Sequence, residues 1–219
     1  MDLIQFKSPA LNRTSMLGIA AASEALKHSG IDLNDGMRTG LISSTTVAGM
    51  CKTELFYKEM VDKAMHLEVL DAHDCGESTE EIADYLGVKD FVTTISTACS
   101  SAANAVMLGS RMIKQGMLDR VIVGGVDALS KFTFNGFNTL MILDNQPCKP
   151  FDENRKGLNL GEAGAFIVIE SEASLKKRNG KALATVAGYA NANDAYHQTA
   201  SSPDGFGATM AIQQALKMS

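Results

Sequence analysis

Apolar residues at Leu11, Met16, Ile19, Ala20, Ala22 and Leu26 recur at helical spacing and stop at Gly30, predicting a helix over 11–29. A polar, turn-like stretch over 31–37 leads into TGLISS at 39–44, which is short, apolar and β-prone and reads as a buried strand. After a loop of small residues at 45–50, helical periodicity returns over 54–70. Ser78 with Glu81 three residues on has the form of a capping box, predicting a helix from 78 to Gly87. Phe91–Thr97 is rich in β-branched and aromatic residues and predicts a second buried strand, followed by a helix reaching about Gly116. RVIVGG at 120–125 and the apolar run at 163–170 predict further strands, as does 181–191. Residues 131–143 are apolar without a clear period, and 144–157, with Pro147 and Pro150, read as a loop. A short basic helix is expected over 174–179 and a final helix over 207–218.

Strands alternate with helices, and several strands are apolar on both faces. This predicts an α/β protein whose sheet is covered by helices on each side. The length of 219 residues suits one domain, with room for part of a second. No internal repeat, linker or low-complexity tract interrupts the chain.

Composition narrows the partners. A hydrophobic content of 45% with 21% charged residues is enough to build a packed core. The net charge of −5 argues against nucleic acid as the main partner. Cys51, Cys75, Cys99 and Cys148 are widely spaced, without a CxxC pair, and read as reduced thiols of a cytoplasmic protein. No signal peptide or long apolar run is present, so no membrane span is expected. Without a secretory signal, the sequon Asn12-Arg13-Thr14 is read as chance.

Cys99 is the candidate for chemistry. It falls between a predicted strand and a predicted helix, among Ala98, Ser100, Ser101, Ala102 and Ala103. A helix start offers free amides and the positive end of the helix dipole, both of which favour a thiolate. A buried structural cysteine is the competing reading from position alone. His66, Asp71, His73, Asp74 and Cys75 are residue types that bind metals, but their spacing matches no familiar site, and a solvated loop with no metal is the reading adopted. Gly157, Gly161 and Gly164 miss the dinucleotide spacing and precede a strand rather than a helix, so no nucleotide cofactor is expected.

Five stretches in order carry a family resemblance: TACSSA around Cys99, VIVGGVDAL at 121–129, KPFDENRKG at 149–157, LGEAGAFIVIE at 160–170 and NDAYHQTASSPDG at 193–205. Together they resemble the β-ketoacyl-(acyl carrier protein) synthases, condensing enzymes of fatty acid and polyketide synthesis with the thiolase fold. The resemblance implies a layered αβα arrangement around a mixed sheet of the five-stranded type. It implies an N-terminal half over 1–180, lacking its first strand, and the beginning of a C-terminal half over 181–219, so the chain is expected to be truncated at both ends. The missing strand is expected to leave the centre of the sheet unfilled, although Leu3–Phe6 is a short β-capable piece.

The resemblance also implies roles. Cys99 would accept an acyl group from an acyl carrier protein, and decarboxylative condensation with a malonyl thioester would follow without metal or redox cofactor. Phe137 matches a phenylalanine lining the acyl channel, with plain core packing as the other reading. Glu162 matches an acidic residue that helps to hold the catalytic network, although Arg155-Lys156-Gly157 and Gly161-Glu162-Ala163 depart from the usual RDG and GEG. His197 falls in a segment that approaches the active site and is given a structural role. The family's two catalytic histidines and lysine belong to C-terminal motifs not found in this sequence, so little complete condensing activity is expected of the isolated chain. A homodimer pairing Phe91–Ser96 with its symmetry mate is expected. A non-catalytic partner subunit, and a thiolase-like acyltransferase using Cys99 alone, are the alternatives.

Overall fold

The strand Thr39–Ser44 (β1) is buried at all six positions and lies inside the sheet. In this computed structural model, which describes residues 11–197 and 200–219, β1 pairs in parallel with Phe91–Ile95 (β2) on one side and with Arg120–Asp127 (β3) on the other. Ala163–Glu170 (β4) then pairs antiparallel to β3, giving the order β2-β1-β3-β4. Leu3–Phe6 lies outside the described residues.

Alternation along β1 and β3 sends neighbouring side chains to opposite faces. Leu41, Ile122 and Val126 face one way and pack with Ile19 and Ala22 of Arg13–Ser29 (α1), Ile82 and Ala83 of Cys75–Leu86 (α3), and Phe166. Ile42, Val121 and Val123 face the other way and pack with Ala105 and Met112 of Ser101–Lys114 (α4). Because both faces of β1 are covered, its six residues show no polar alternation in sequence. The result is an αβα sandwich.

Four strands form the sheet among the described residues, as expected of a five-stranded type lacking its first strand. One expectation is corrected: the centre of the sheet is filled, because β1 and β3 pair directly with each other. The strands at its margins are β2 and β4. Residues 181–191 form no strand despite their alternation, and Leu183 is exposed. Extended backbone needs a neighbouring ladder to satisfy its amides, and no described strand lies beside this stretch.

Helix boundaries moved where a stronger cap competed. Helix α3 begins at Cys75, because the Asp74 side chain accepts the Gly76 amide at 2.8 Å; Ser78 is buried inside the helix and donates to the Cys75 carbonyl. The long helix expected over 54–70 is two elements. Met50–Lys63 (α2) ends at Ala64 in the left-handed region, and a 3-10 helix follows over Leu67–His73. Residues expected to be irregular form Lys131–Thr139 (α5), capped by Ser130, whose hydroxyl accepts the Thr133 amide at 3.0 Å. Asn12 of the sequon is buried and caps α1, accepting the Ser15 amide at 3.0 Å. Short α6 (Glu172–Lys177) and terminal α7 (Phe206–Met218) fall close to their expected positions.

Two glycines of β3 place the elements around Cys99. A Cβ on Gly125 would overlap the Ser44 hydroxyl and lie 3.1 Å from the Ala102 Cβ, so a side chain there would push α4 off the sheet at its first turn. A Cβ on Gly124 would collide with the Ala165 carbonyl and hold β4 away.

Candidate active site

Between β2 and α4 the chain turns through Ser96–Ser100, and Ala98 takes a left-handed conformation at φ 53°. An L residue pays a steric cost there, so other bonds must hold the turn. Ser101 supplies two: its hydroxyl donates to the Ala98 carbonyl at 2.6 Å and accepts the Thr97 amide at 2.8 Å. Ser100 donates to the Thr97 carbonyl at 2.8 Å, and the Asn104 amide donates to the Thr97 hydroxyl at 2.8 Å. Asn191 in turn donates to the Asn104 side-chain oxygen at 3.0 Å, which fastens the segment after β4 to the same turn.

The turn presents Cys99 immediately before α4. The thiol is exposed and lines a cavity of about 820 Å³. Ser100, the N-cap, makes no side-chain capping bond, so the first-turn amides of α4 are not consumed by it. A developing negative charge on sulfur, or on an oxygen beside it, is favoured at such a helix start.

Phe137 of α5 and Glu162, just before β4, line the same cavity. Three of the four residues singled out by sequence are therefore brought together. His197 is exposed and is not among the lining residues. Val47, Leu129, Phe132, Leu140 and Leu160 complete an apolar wall suited to a hydrocarbon-like group.

Three carboxylates that shape the cavity have partners that sequence reasoning missed. Glu162 is held by Arg13: the guanidinium Nε lies 2.9 and 3.0 Å from its two oxygens, a terminal nitrogen also bonds it, and the Leu129 amide donates at 3.3 Å. Asp127 accepts four bonds, from the Thr45 hydroxyl at 2.6 Å, the Thr46 amide and hydroxyl at 2.9 and 3.0 Å, and the Val47 amide at 3.2 Å. Glu54 of α2 accepts the first amides of α5. A carboxylate at the end of an otherwise apolar strand was a usable signal for Asp127. Nothing local marks Arg13, whose partner is 149 residues away.

His66 of the residues weighed as metal ligands lies 2.9 Å from Glu59 and 3.5 Å from Glu68. Among the described residues no group of three or more His, Cys, Asp or Glu side chains is arranged to hold a metal ion. No helix of the described residues is long and apolar enough to cross a membrane.

A cysteine on a strained strand-to-helix turn, opening into an apolar cavity within an αβα sandwich, has the surroundings that a thiol nucleophile requires. Comparison with known proteins makes this specific. Residues 4–174 match the model of the β-ketoacyl synthase N-terminal domain, and the chain belongs to that family. It is 29% identical to a 3-oxoacyl-[acyl-carrier-protein] synthase 2 of Staphylococcus aureus, with 94% of this chain and 52% of the relative aligned. It is 32% identical to the tetracenomycin polyketide synthase ketoacyl synthase alpha subunit of Streptomyces glaucescens, with the same coverage. Among solved structures it is similar to the ishigamide ketosynthase/chain length factor, with TM-score 0.85, 28% identity, and coverage of 96% of this chain and 55% of that one. A type II polyketide ketosynthase in complex with its acyl-carrier protein shares the fold at TM-score 0.86 and 24% identity, with 99% of this chain and 57% of that one covered. The chain spans about half the length of the curated relatives it matches.

Proposed function

We propose that this chain carries the acyl-accepting site of a β-ketoacyl-(acyl carrier protein) synthase in fatty acid or polyketide synthesis. The Cys99 sulfur attacks the carbonyl of a carrier-protein thioester. A new carbon–sulfur bond forms, and the carrier thiol leaves with a proton. In the condensation that follows, a malonyl thioester loses carbon dioxide, its α-carbon attacks the acyl carbonyl, and the Cys99 thiolate is released. The observation that carries this reading is the exposed Cys99 on its left-handed turn, at a helix start, facing the apolar wall that includes Phe137.

Among the described residues no histidine lines the cavity, so the decarboxylating donors are not supplied there. Residues 1–180 are taken as the N-terminal half and 181–219 as the beginning of the second. The acyl half-reaction is therefore assigned to this chain, and complete condensation by these 219 residues is not expected. Glu162 supports the site. His197, outside the cavity lining, keeps a structural role.

The partners proposed are an acyl carrier protein and a second copy of the chain in the cytoplasm. Among described strands β2 pairs only with β1, so its outer edge is a template for an isologous contact through Phe91–Ser96. A monodisperse monomer at high concentration would overturn the dimer. Incubation with an acyl thioester, read by intact mass, tests the function. An adduct lost in Cys99→Ala supports it, and no adduct on the folded parent chain refutes it.

A further inference from the structure

Thr97 and Ser100 bracket the nucleophile, and a chain of side-chain hydrogen bonds ties both to a distant segment. The Ser100 hydroxyl donates to the Thr97 carbonyl at 2.8 Å and lies 3.1 Å from the Thr97 hydroxyl. Half-buried Asn104, in the first turn of α4, donates to both hydroxyls, at 2.8 Å to Thr97 and 3.3 Å to Ser100. Its side-chain oxygen accepts the Asn191 amide at 3.0 Å. Thr97, Ser100, Asn104 and Asn191 are not among the residues lining the cavity, so they hold the turn from outside it. Ser101, which does line the cavity, holds the same turn from within. Asn191 is itself seated between two contacts with α7. A Cβ on Gly188 would run into the Ala215 carbonyl, and one on Gly207 would lie 3.1 Å from the Asp194 Cβ. Asp194 is pinned in turn by the Ser202 amide at 3.0 Å and the Tyr196 amide at 3.1 Å.

We propose that Asn191 is a positioning residue for acyl transfer to Cys99 and acts through Asn104, which holds the turn that presents the sulfur. The inference rests on Cys99 being the acyl-accepting nucleophile. A primary amide has an accepting and a donating end. The bond from Asn191 to the Asn104 oxygen selects the orientation in which the Asn104 nitrogen faces Thr97 and Ser100. That nitrogen then spans the residues on either side of Ala98 and Cys99. The backbone at Ala98 is strained, at φ 53°, and persists only where its surroundings hold it. Loosening the outer ties lets the turn depart from the geometry of attack while Ser101 keeps it folded. Because Asn104 and Asn191 stand outside the cavity, the loss falls on the rate of the bound complex and not on binding.

The test follows acylation of Cys99 by intact mass, with the octanoyl thioester of N-acetylcysteamine as the probe. The octanoyl group joins the sulfur, and the small thiol leaves with a proton. Rates over a range of probe concentrations give a maximal rate and a half-saturating concentration. They are measured for the parent chain, Asn104→Ala, Asn191→Ala and the double variant. Asn104→Ala is expected to lower the maximal rate roughly fivefold and Asn191→Ala roughly twofold. Half-saturation is expected to stay at the parent value. The double variant is expected to match Asn104→Ala, since Asn191 has nothing further to hold once Asn104 is gone. A residue that merely stabilised the fold would add its loss to that of Asn104→Ala. Additive losses, an unchanged rate in Asn191→Ala, or a change confined to half-saturation overturn the proposal while the parent chain still acylates. A parent chain that takes up no octanoyl group refutes the acyl-accepting reading, and this inference falls with it. If Asn104→Ala does not fold, as judged by circular dichroism, Asn191→Ala decides alone. A lower maximal rate at unchanged half-saturation then supports the proposal, and any other result overturns it.

Discussion

The Glu54 carboxylate of α2 caps the start of α5, accepting the Lys131 amide at 2.9 Å and the Phe132 amide at 2.6 Å. One acidic side chain thereby satisfies two amides that a helix cannot satisfy itself, and it sits at the positive end of the dipole. Since α5 carries Phe132 and Phe137 into the cavity, the cap is also a cavity support. Glu54→Ala is expected to cost ~1 kcal/mol and to speed hydrogen exchange over 131–139. Unchanged protection of those amides would show that Ser130 alone is a sufficient cap.

The strained turn predicts an ordered series at Ala98, which sits at φ 53°. Ala98→Gly removes the steric penalty and should hold or raise stability, by at most about 1 kcal/mol. Ala98→Val adds a β-branched side chain in the left-handed region and should both lower the melting temperature and slow Cys99 alkylation. Equal melting temperatures for the two variants would contradict the turn geometry.

A methyl group at Gly125 tests the approach of α4 to the sheet. Gly125→Ala would press on the Ser44 hydroxyl and Ala102, and the displaced element is the one that follows Cys99. Loss of roughly 1–3 kcal/mol by overpacking, together with reduced acylation of Cys99, is expected from urea unfolding and intact-mass assays.

At the opposite end of the sheet Arg120 is fully buried and is paired with Asp35, with a further bond to the Asp32 carbonyl at 3.2 Å. Its Nε is buried without a hydrogen-bond acceptor. Asp35→Ala takes the bonded carboxylate from this buried charge, leaving Asp119 and Glu170 as its charge partners, and should cost roughly 3 kcal/mol. Arg120→Met removes the charge itself and should cost less, since Asp35 keeps the Met37 amide. Reversed order in thermal unfolding would overturn this.

Stability should fall in acid. Burial pushes the Asp35 carboxyl up, but the Met37 amide and Arg120 outweigh it and hold it below the usual range. Arg178 holds Glu170 down in the same way, and Arg38 holds Asp119 down. Each of the three therefore adds stability above its unfolded value that disappears as pH falls through the folded one. Glu77 has the opposite sign. Burial and then the neighbouring Glu81 raise it, so its contribution is full in acid and is lost as pH rises from the unfolded to the folded value. Glu77→Gln should therefore raise the melting temperature at neutral pH, whereas Glu170→Gln should lower it there and flatten the acid limb.

Strands β1 and β4 stand where their sequences place them, because each is a short apolar run; β1 is covered on both faces, whereas β4 is exposed at Ala163, Ala165 and Ile167. Motif directed attention to Cys99, Phe137 and Glu162, and all three line one cavity. The failures are of two kinds. Ser78 lost its cap to Asp74, a local competition between two acceptors four residues apart along one helix start. Residues 181–191 and the partners of Asp127, Glu54 and Glu162 depend on what other segments bring, and no local pattern encodes an acceptor many residues distant.

The walls around Cys99 are drawn from residue 44 through residue 163, and the Arg13–Glu162 clasp ties a residue well ahead of that span to one beside its end. During synthesis on the ribosome the nucleophile emerges long before the hairpin partner that closes its chamber. Until β4 zips onto β3 and the clasp engages, the thiol stands in an unfinished room, open to water and to any passing electrophile. Reactivity at this sulfur is thus a clock for folding as well as a measure of chemistry.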